Sequence, residues 1–209
     1  MQYSAALKDR ITQCLTRLDR IVHTDTALPR AAVTLLVSPT PDNREASVLL
    51  TRRAAHLRRH AGQYALPGGR ADEGESTITT ALRECHEEIG LALHDHHVVG
   101  LLDDFITRSG FCITPVVACT DVAPTLTVDE AEVEKIFHIT LEELASAATQ
   151  PGEKEKSDSD TDGFSIMLPT VGHRIYAPTA AILFQFREVA LLDRRTRVHD
   201  LEQPRFAWQ

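Results

Sequence analysis

Three glutamates, Glu84, Glu87 and Glu88, stand at i, i+3 and i+4 in the run Gly69 to Leu91, GRADEGESTITTALRECHEEIGL, just before a glycine that ends the segment. At 100° per residue they share one face of a helix expected from about Ser76 to Ile89. Ile78, Ala81, Leu82, Cys85 and Ile89 form an adjacent apolar stripe suited to packing on a core. Like charges at i, i+4 oppose a helix by roughly 0.2–0.5 kcal/mol per pair, so a bare carboxylate cluster calls for a positive partner. Oxygen-only ligands favour a hard dication such as Mg2+, with Mn2+ a substitute, over zinc, which recruits Cys or His. His86 falls on the opposite side of the helix and Cys85 in the apolar stripe, so neither is an expected ligand. Arg83 can reach Glu87 at i+4 and hold it in place. Upstream, Leu66-Pro67-Gly68-Gly69 supplies a sharp loop at which backbone can approach a ligand closely, because two glycines carry no Cβ.

The elements that must position these groups follow from hydrophobic periodicity. A first amphipathic helix is expected over about 4–22, with Leu7, Ile11, Cys14, Leu15, Leu18 and Val22 at helical spacing. Strand-like runs follow at about 31–38 and 46–52, then the glycine loop and the acidic helix, then β-rich runs at about 97–106 and 113–120. A short helix near Leu141 to Ala148 leads into PGEKEKSDSDTDG, polar, charged and expected to be a mobile surface loop. FSIML and HRIYA read as strands, and Thr179 to Leu192 as a helix bearing Ile182, Leu183, Phe186 and Val189 on one face. Strands and helices mix without strict alternation, which predicts an α+β protein with a mixed β-sheet between helices.

The 209 residues suit one domain, with a core over about 31–192 and a tail at 193–209. A net charge of −8 argues against a general nucleic-acid binder. Arg52, Arg53, Arg58 and Arg59, with His56 and His60, nevertheless crowd the stretch before the acidic helix, a local patch suited to a small polyanion. The four cysteines (Cys14, Cys85, Cys112, Cys119) show no CxxC spacing, and neither an apolar leader nor a membrane-length apolar run is present. The expectation is a cytoplasmic protein with four free thiols and no membrane partner. His94, His96 and His97 read as a turn entering a strand. Arg194, Arg195 and Arg197 read as a basic helix end, and PRFAW at 204–208 as a docking or dimer segment, so a homodimer is possible.

The spacing Gly69, five residues, Glu75, seven residues, then Arg83-Glu84-x-x-Glu87-Glu88-x-Gly90-Leu91 resembles the Nudix box of nucleoside-diphosphate-linked pyrophosphohydrolases. Seven prescribed identities arise by chance roughly once in 10^8 starting points. Cys85 stands where that family usually has an aliphatic residue or alanine. The resemblance implies an α/β/α sandwich, with Glu84 and Glu88 as metal ligands, Glu87 as a further ligand or base and Arg83 as its orienter. It implies a structural role for Glu75 near the helix start. Family members often add an acidic residue from outside the box, and in Asp129-Glu130-Ala131-Glu132-Val133-Glu134 the best match is Glu132.

A second stretch, LLTRRAAHLRRHAGQYALPGG from Leu49 to Gly69, resembles the segment before the box in coenzyme A pyrophosphatases, with Ala54 in place of serine and Leu66 in place of phenylalanine. That resemblance implies Mg2+-dependent cleavage of coenzyme A or its derivatives to 3',5'-ADP and 4'-phosphopantetheine, with Arg53, Arg58, Gly68 and Gly69 contacting substrate. Guanidinium binds phosphate oxygens bidentately, which suits Arg53 and Arg58 to the 3'-phosphate or the diphosphate. ADP-ribose, dinucleotides or nucleoside triphosphates are alternative substrates, and a nucleotide-binding domain without turnover is the alternative from another class.

Overall fold

The computed structural model describes residues 1–25, 27–150, 163–201 and 203–204. In chain order the elements are α1 (Ala5–Thr16), β1 (Arg30–Pro39), β2 (Ala46–Arg53), β3 (Tyr64–Ala65), β4 (Gly68–Arg70) and α2 (Thr77–Ile89). Next come β5 (Val98–Leu101), β6 (Phe105–Ile106), β7 (Cys112–Cys119), β8 (Val133–Thr140) and α3 (Leu141–Ser146). The chain then forms β9 (Thr149–Gln150), β10 (Ser165–Leu168), β11 (His173–Tyr176) and α4 (Thr179–Phe186), which passes into a π-helical turn at Arg187–Leu191.

A mixed, eight-stranded sheet runs β3-β2-β1-β7-β5, with β4 on β1, β6 on β7 and β8 on β2. β1 and β7 pair in parallel from Arg30 with Cys112 to Val37 with Cys119, while the other contacts of β1 are antiparallel. A separate three-stranded sheet has the order β11-β10-β9. One face of the large sheet is covered by α2, whose Leu82, Cys85 and Ile89 pack on Leu36, Leu49 and Ala118. The other face buries Leu35, Val37, Val48 and Leu50 with α1 and α4. The architecture is therefore the expected α+β sandwich of helices on both faces of a mixed sheet.

The sheet splays where the site forms. β1 pairs with β2 only at Val37–Pro39, and with β4 at Ala31–Val33. Between them the Thr34 N–H donates to the Pro67 carbonyl at 2.7 Å and the Thr34 hydroxyl to the Ala81 carbonyl at 2.8 Å. One central threonine thus ties the proline-glycine turn and α2 to the same strand.

α2 has the boundaries its sequence dictates. The Ser76 hydroxyl accepts from the Thr79 N–H at 3.1 Å, and Gly90 closes the helix at φ 68°. Burial of Leu82 and Ile89 contributes about 1.5–3 kcal/mol each, which outweighs the few tenths by which neighbouring glutamates oppose the helix.

Three elements differ from expectation. The first helix stops at Thr16, not Val22: the buried carboxylates of Asp103 and Asp104 accept from the Ile21 and His23 N–H groups at 2.8 and 2.9 Å and hold that stretch out of a helix. Leu18 is buried beyond the helix end and Val22 is half exposed. β8 begins within the acidic stretch 129–134, where the sequence pattern predicts no strand, because VEKIFHIT gains its partners from β2 and not from its own alternation. The last helix widens into a π turn, which places Arg187 and Glu188 inside the protein as a 3.1 Å ion pair. Most of the polar run between β9 and β10, residues 151–162, lies outside the described residues.

Candidate active site

α2 and the Leu66–Gly69 turn meet edge-on. A Cβ built on Gly69 would lie 2.5 Å from the Glu84 carboxyl carbon, so only glycine lets this carboxylate rest against the strand. Glu88 is 3% exposed, with an Arg53 guanidinium nitrogen 3.6 Å from Oε1. The backbone N–H of Gly68 also serves the Glu88 carboxylate.

Glu132 is delivered from the other side by backbone bonds. The Asp129 N–H donates to the Glu88 carbonyl at 3.0 Å, the Glu132 N–H to the Asp129 carbonyl at 3.0 Å, and the Ala54 N–H to the Glu132 carbonyl at 2.9 Å. Glu84, Glu88 and Glu132 therefore line one cleft, of about 660 Å3, together with Arg53, Gly68 and Gly69.

Charge in this cleft is frustrated. Burial pushes the Glu88 carboxyl up to about 8 against the opposing pull of Arg53, and the carboxylates of Glu132 and Glu84 raise it further. Glu84 is also raised, first by burial, with Arg83 opposing and Glu87 and Glu132 adding to the rise. Glu75 behaves oppositely: hydrogen bonds from Arg83 hold it down at about 2. Arg83 is the hub, donating to Glu75 at 2.9 Å, Glu84 at 2.9 Å, Glu87 at 2.8 Å and the Arg70 carbonyl at 3.1 Å.

These features fit a hard dication. The donors are carboxylate oxygens whose mutual repulsion a 2+ ion would relieve, and the missing Cβ at Gly69 lets Glu84 lie against the turn. Among the described residues no group of three or more carboxylate, imidazole or thiol side chains is drawn together so as to hold a metal ion by itself. Mg2+ tolerates that arrangement, since it binds through one or two carboxylates plus water and substrate oxygens. Cys85 is buried, its thiol pushed up to about 12 by burial, and is no competitor as a ligand.

Two expected site residues sit apart. Glu87 is exposed on the outer side of Arg83 and is not part of the cleft wall, and Arg58 is exposed outside that wall as well. His94, His96 and His97 stack on one another around a 3-10 turn at Asp95–His97, directly before β5.

Conversely, the cleft contains residues with no local signal in the sequence. Thr107, Ser109 and Phe111, from the β6–β7 turn, line it, as do Tyr64, Pro178 and Ile182. Gln203 braces that turn: its amide accepts from the Arg108 N–H at 3.1 Å and donates to the Ile106 carbonyl at 3.2 Å. Gln203 is 6% exposed, so Gln203→Ala strands two backbone groups and is expected to cost about 2 kcal/mol of stability, measurable by urea denaturation. The rest of the described tail also packs back, Arg197 on Asp103 at 2.8 Å and Arg194 on Glu188 at 3.2 Å. Residues 205–208 of the proposed docking segment lie outside the described residues.

The NUDIX domain family model matches residues 28–159. Over 149 residues the chain is 38% identical to uncharacterized Nudix hydrolases named NudL from Yersinia pestis (strain Pestoides F) and Yersinia pseudotuberculosis (serotype O:1b, strain IP 31758), covering 69% of this chain and 74% of each relative. A MutT/nudix family protein from Enterococcus faecalis aligns over 92% of this chain and 74% of its own, at 15% identity and a TM-score of 0.49. Among the described residues no helix is long and apolar enough to cross a membrane. The matched span runs from the start of β1 past β8 and carries the glycine turn, the acidic helix and Glu132, and the chain belongs to the Nudix family, as a hydrolase of pyrophosphate bonds in nucleotide-like anhydrides that works with a divalent cation.

Proposed function

We propose that this Nudix hydrolase cleaves the diphosphate of coenzyme A or its derivatives, with Mg2+ or Mn2+, to 3',5'-ADP and 4'-phosphopantetheine. The observation that carries the reading is the fate of Leu49–Gly69. This stretch folds as β2, a turn, β3 and the start of β4, and gives the cleft Arg53, Arg59, Tyr64, Gly68 and Gly69. A cleft of about 660 Å3 lined by acidic, basic and apolar side chains suits a diphosphate flanked by a nucleoside and a pantetheine arm. The four cysteines are free and buried, which suits a reducing, cytoplasmic setting.

In this reading Glu84 and Glu88 hold the cation from the cleft wall, and Glu87, which stands outside that wall and shares Arg83 with Glu84, would have to turn inward to serve as a further ligand or base. When bound, the cation would acidify a water and neutralise charge on the diphosphate oxygens. Arg83 fixes the direction of Glu84 and Glu87 through its hydrogen bonds, while Glu75 anchors Arg83 from behind. Glu132, facing the same cleft, is positioned to take a proton from the attacking water or to complete the ligand set. Arg53, bridging Glu88 and the cleft, steadies the phosphate oxygens.

The test is a substrate panel of coenzyme A, acyl-coenzyme A, ADP-ribose, diadenosine polyphosphates and nucleoside triphosphates, with Mg2+ and with Mn2+, and products identified by mass spectrometry. Release of 3',5'-ADP as the fastest reaction supports the assignment. Rapid cleavage of ADP-ribose with coenzyme A untouched replaces it with the ADP-ribose reading.

A further inference from the structure

We propose that Arg59, on the turn between β2 and β3, binds a phosphate outside the scissile diphosphate, so that it selects substrates bearing an additional phosphomonoester. The inference rests on the coenzyme A reading, in which that group is the 3'-phosphate.

The cleft has four basic side chains in its wall, and two of them, Arg53 and His60, have polar partners. Arg53 lies 3.6 Å from the Glu88 carboxylate. Arg70 sits over the Phe111 ring at 5.9 Å, and the His60 ring bonds the Gln63 amide oxygen at 3.2 Å. Arg59 makes no ion pair or side-chain hydrogen bond among the described residues.

The turn that carries it is closed by backbone bonds on either side. The Gly62 N–H donates to the Arg53 carbonyl at 3.1 Å and the Gln63 N–H to the His60 carbonyl at 3.2 Å. His60 and Gly62 hold the turn with φ of 54° and 67°. A guanidinium on a pinned turn loses less freedom on binding than one on a loose loop, and its planar fork matches phosphate oxygens.

Electrostatics gives the reason for a cation at this place. The protein carries −8 overall, and Glu84, Glu88 and Glu132 line the same cleft. A substrate with two further negative charges would be repelled unless the wall it reaches were positive. Arg58, the neighbour singled out by the motif, is exposed like Arg59 but does not line the cleft, which is why the proposal falls on Arg59.

The experiment compares kcat/KM for coenzyme A and for dephospho-coenzyme A, which differ only in the 3'-phosphate, in the wild type and in Arg59→Ala, Arg59→Lys and Arg58→Ala. The expected wild type prefers coenzyme A. Arg59→Ala loses about tenfold or more on coenzyme A through KM, keeps kcat and leaves dephospho-coenzyme A unchanged, as loss of a charge-assisted hydrogen bond requires. Arg59→Lys recovers part of the loss and Arg58→Ala resembles wild type. Equal effects of Arg59→Ala on both compounds, no effect on either, or the selective loss appearing in Arg58→Ala, overturns this assignment alone. Failure to cleave either compound while ADP-ribose is hydrolysed overturns the coenzyme A reading, and this inference with it.

Discussion

Glu88→Gln is expected to lower kcat/KM by about 10^3-fold with the fold intact, because a charge stabilisation of several kcal/mol is removed while side-chain volume is kept. Glu84→Gln is expected to behave alike. Both carboxylates belong to a cluster in which burial and like charge disfavour ionisation. Neutralising either relieves repulsion at the same time as it frees part of Arg53 or Arg83, so unfolding free energies should stay within about 1 kcal/mol of wild type. Steady-state kinetics paired with denaturant titration measures both halves. Unchanged turnover in either variant would rule out its role as metal ligand.

The adjacent glycines should separate stability from activity. An added Cβ at Gly68 meets the Ala32 carbonyl and the Val33 Cα, backbone atoms of a central strand that cannot yield. Gly68→Ala should therefore cost about 3 kcal/mol, the upper part of the usual range for overpacking. At Gly69 the atoms met are the carboxyl carbon and oxygens of Glu84, at 2.5 to 2.6 Å, the far end of a side chain that can swing away. Gly69→Ala should keep most of its stability and lose about 10^2-fold in kcat/KM, since a displacement of about 1 Å at the reacting groups has that effect. Thermal unfolding and initial rates on the two variants distinguish the cases. The reverse pattern, a stable and inactive Gly68→Ala beside an unstable Gly69→Ala, would mean that the turn does not seat Glu84.

What the sequence made legible is what local chemistry determines. The boundaries of α2 follow from Ser76 and Gly90, and its apolar stripe from the spacing of Leu82, Cys85 and Ile89. The bond from Arg83 to Glu87 is a consequence of i+4 spacing, whereas those to Glu75 and the Arg70 carbonyl need the turn that brings β4 under the helix. β8 and the end of α1 escaped because both depend on partners far along the chain: β2 for the one, Asp103 and Asp104 for the other. The same holds for Phe111 and Thr107, which a turn brings to the cleft, and for Gln203, which braces that turn from a tail segment with no periodicity to read. The arginines before the helix show the limit at its sharpest: Arg59 lines the cleft and Arg58 does not. The crowding of arginines before the helix is visible in the sequence, but which guanidinium enters the cleft depends on φ values of 54° and 67° at His60 and Gly62.

The most direct measurement is the anomalous scattering of Mn2+ in crystals of the protein soaked with the metal and a non-hydrolysable diphosphate. The account predicts manganese peaks within coordination distance of the Glu84 and Glu88 carboxylates, bridged to the diphosphate beside Gly69. Manganese bound instead at the stacked imidazoles of His94, His96 and His97, with those glutamates touching no ion and the diphosphate seated elsewhere, would contradict it.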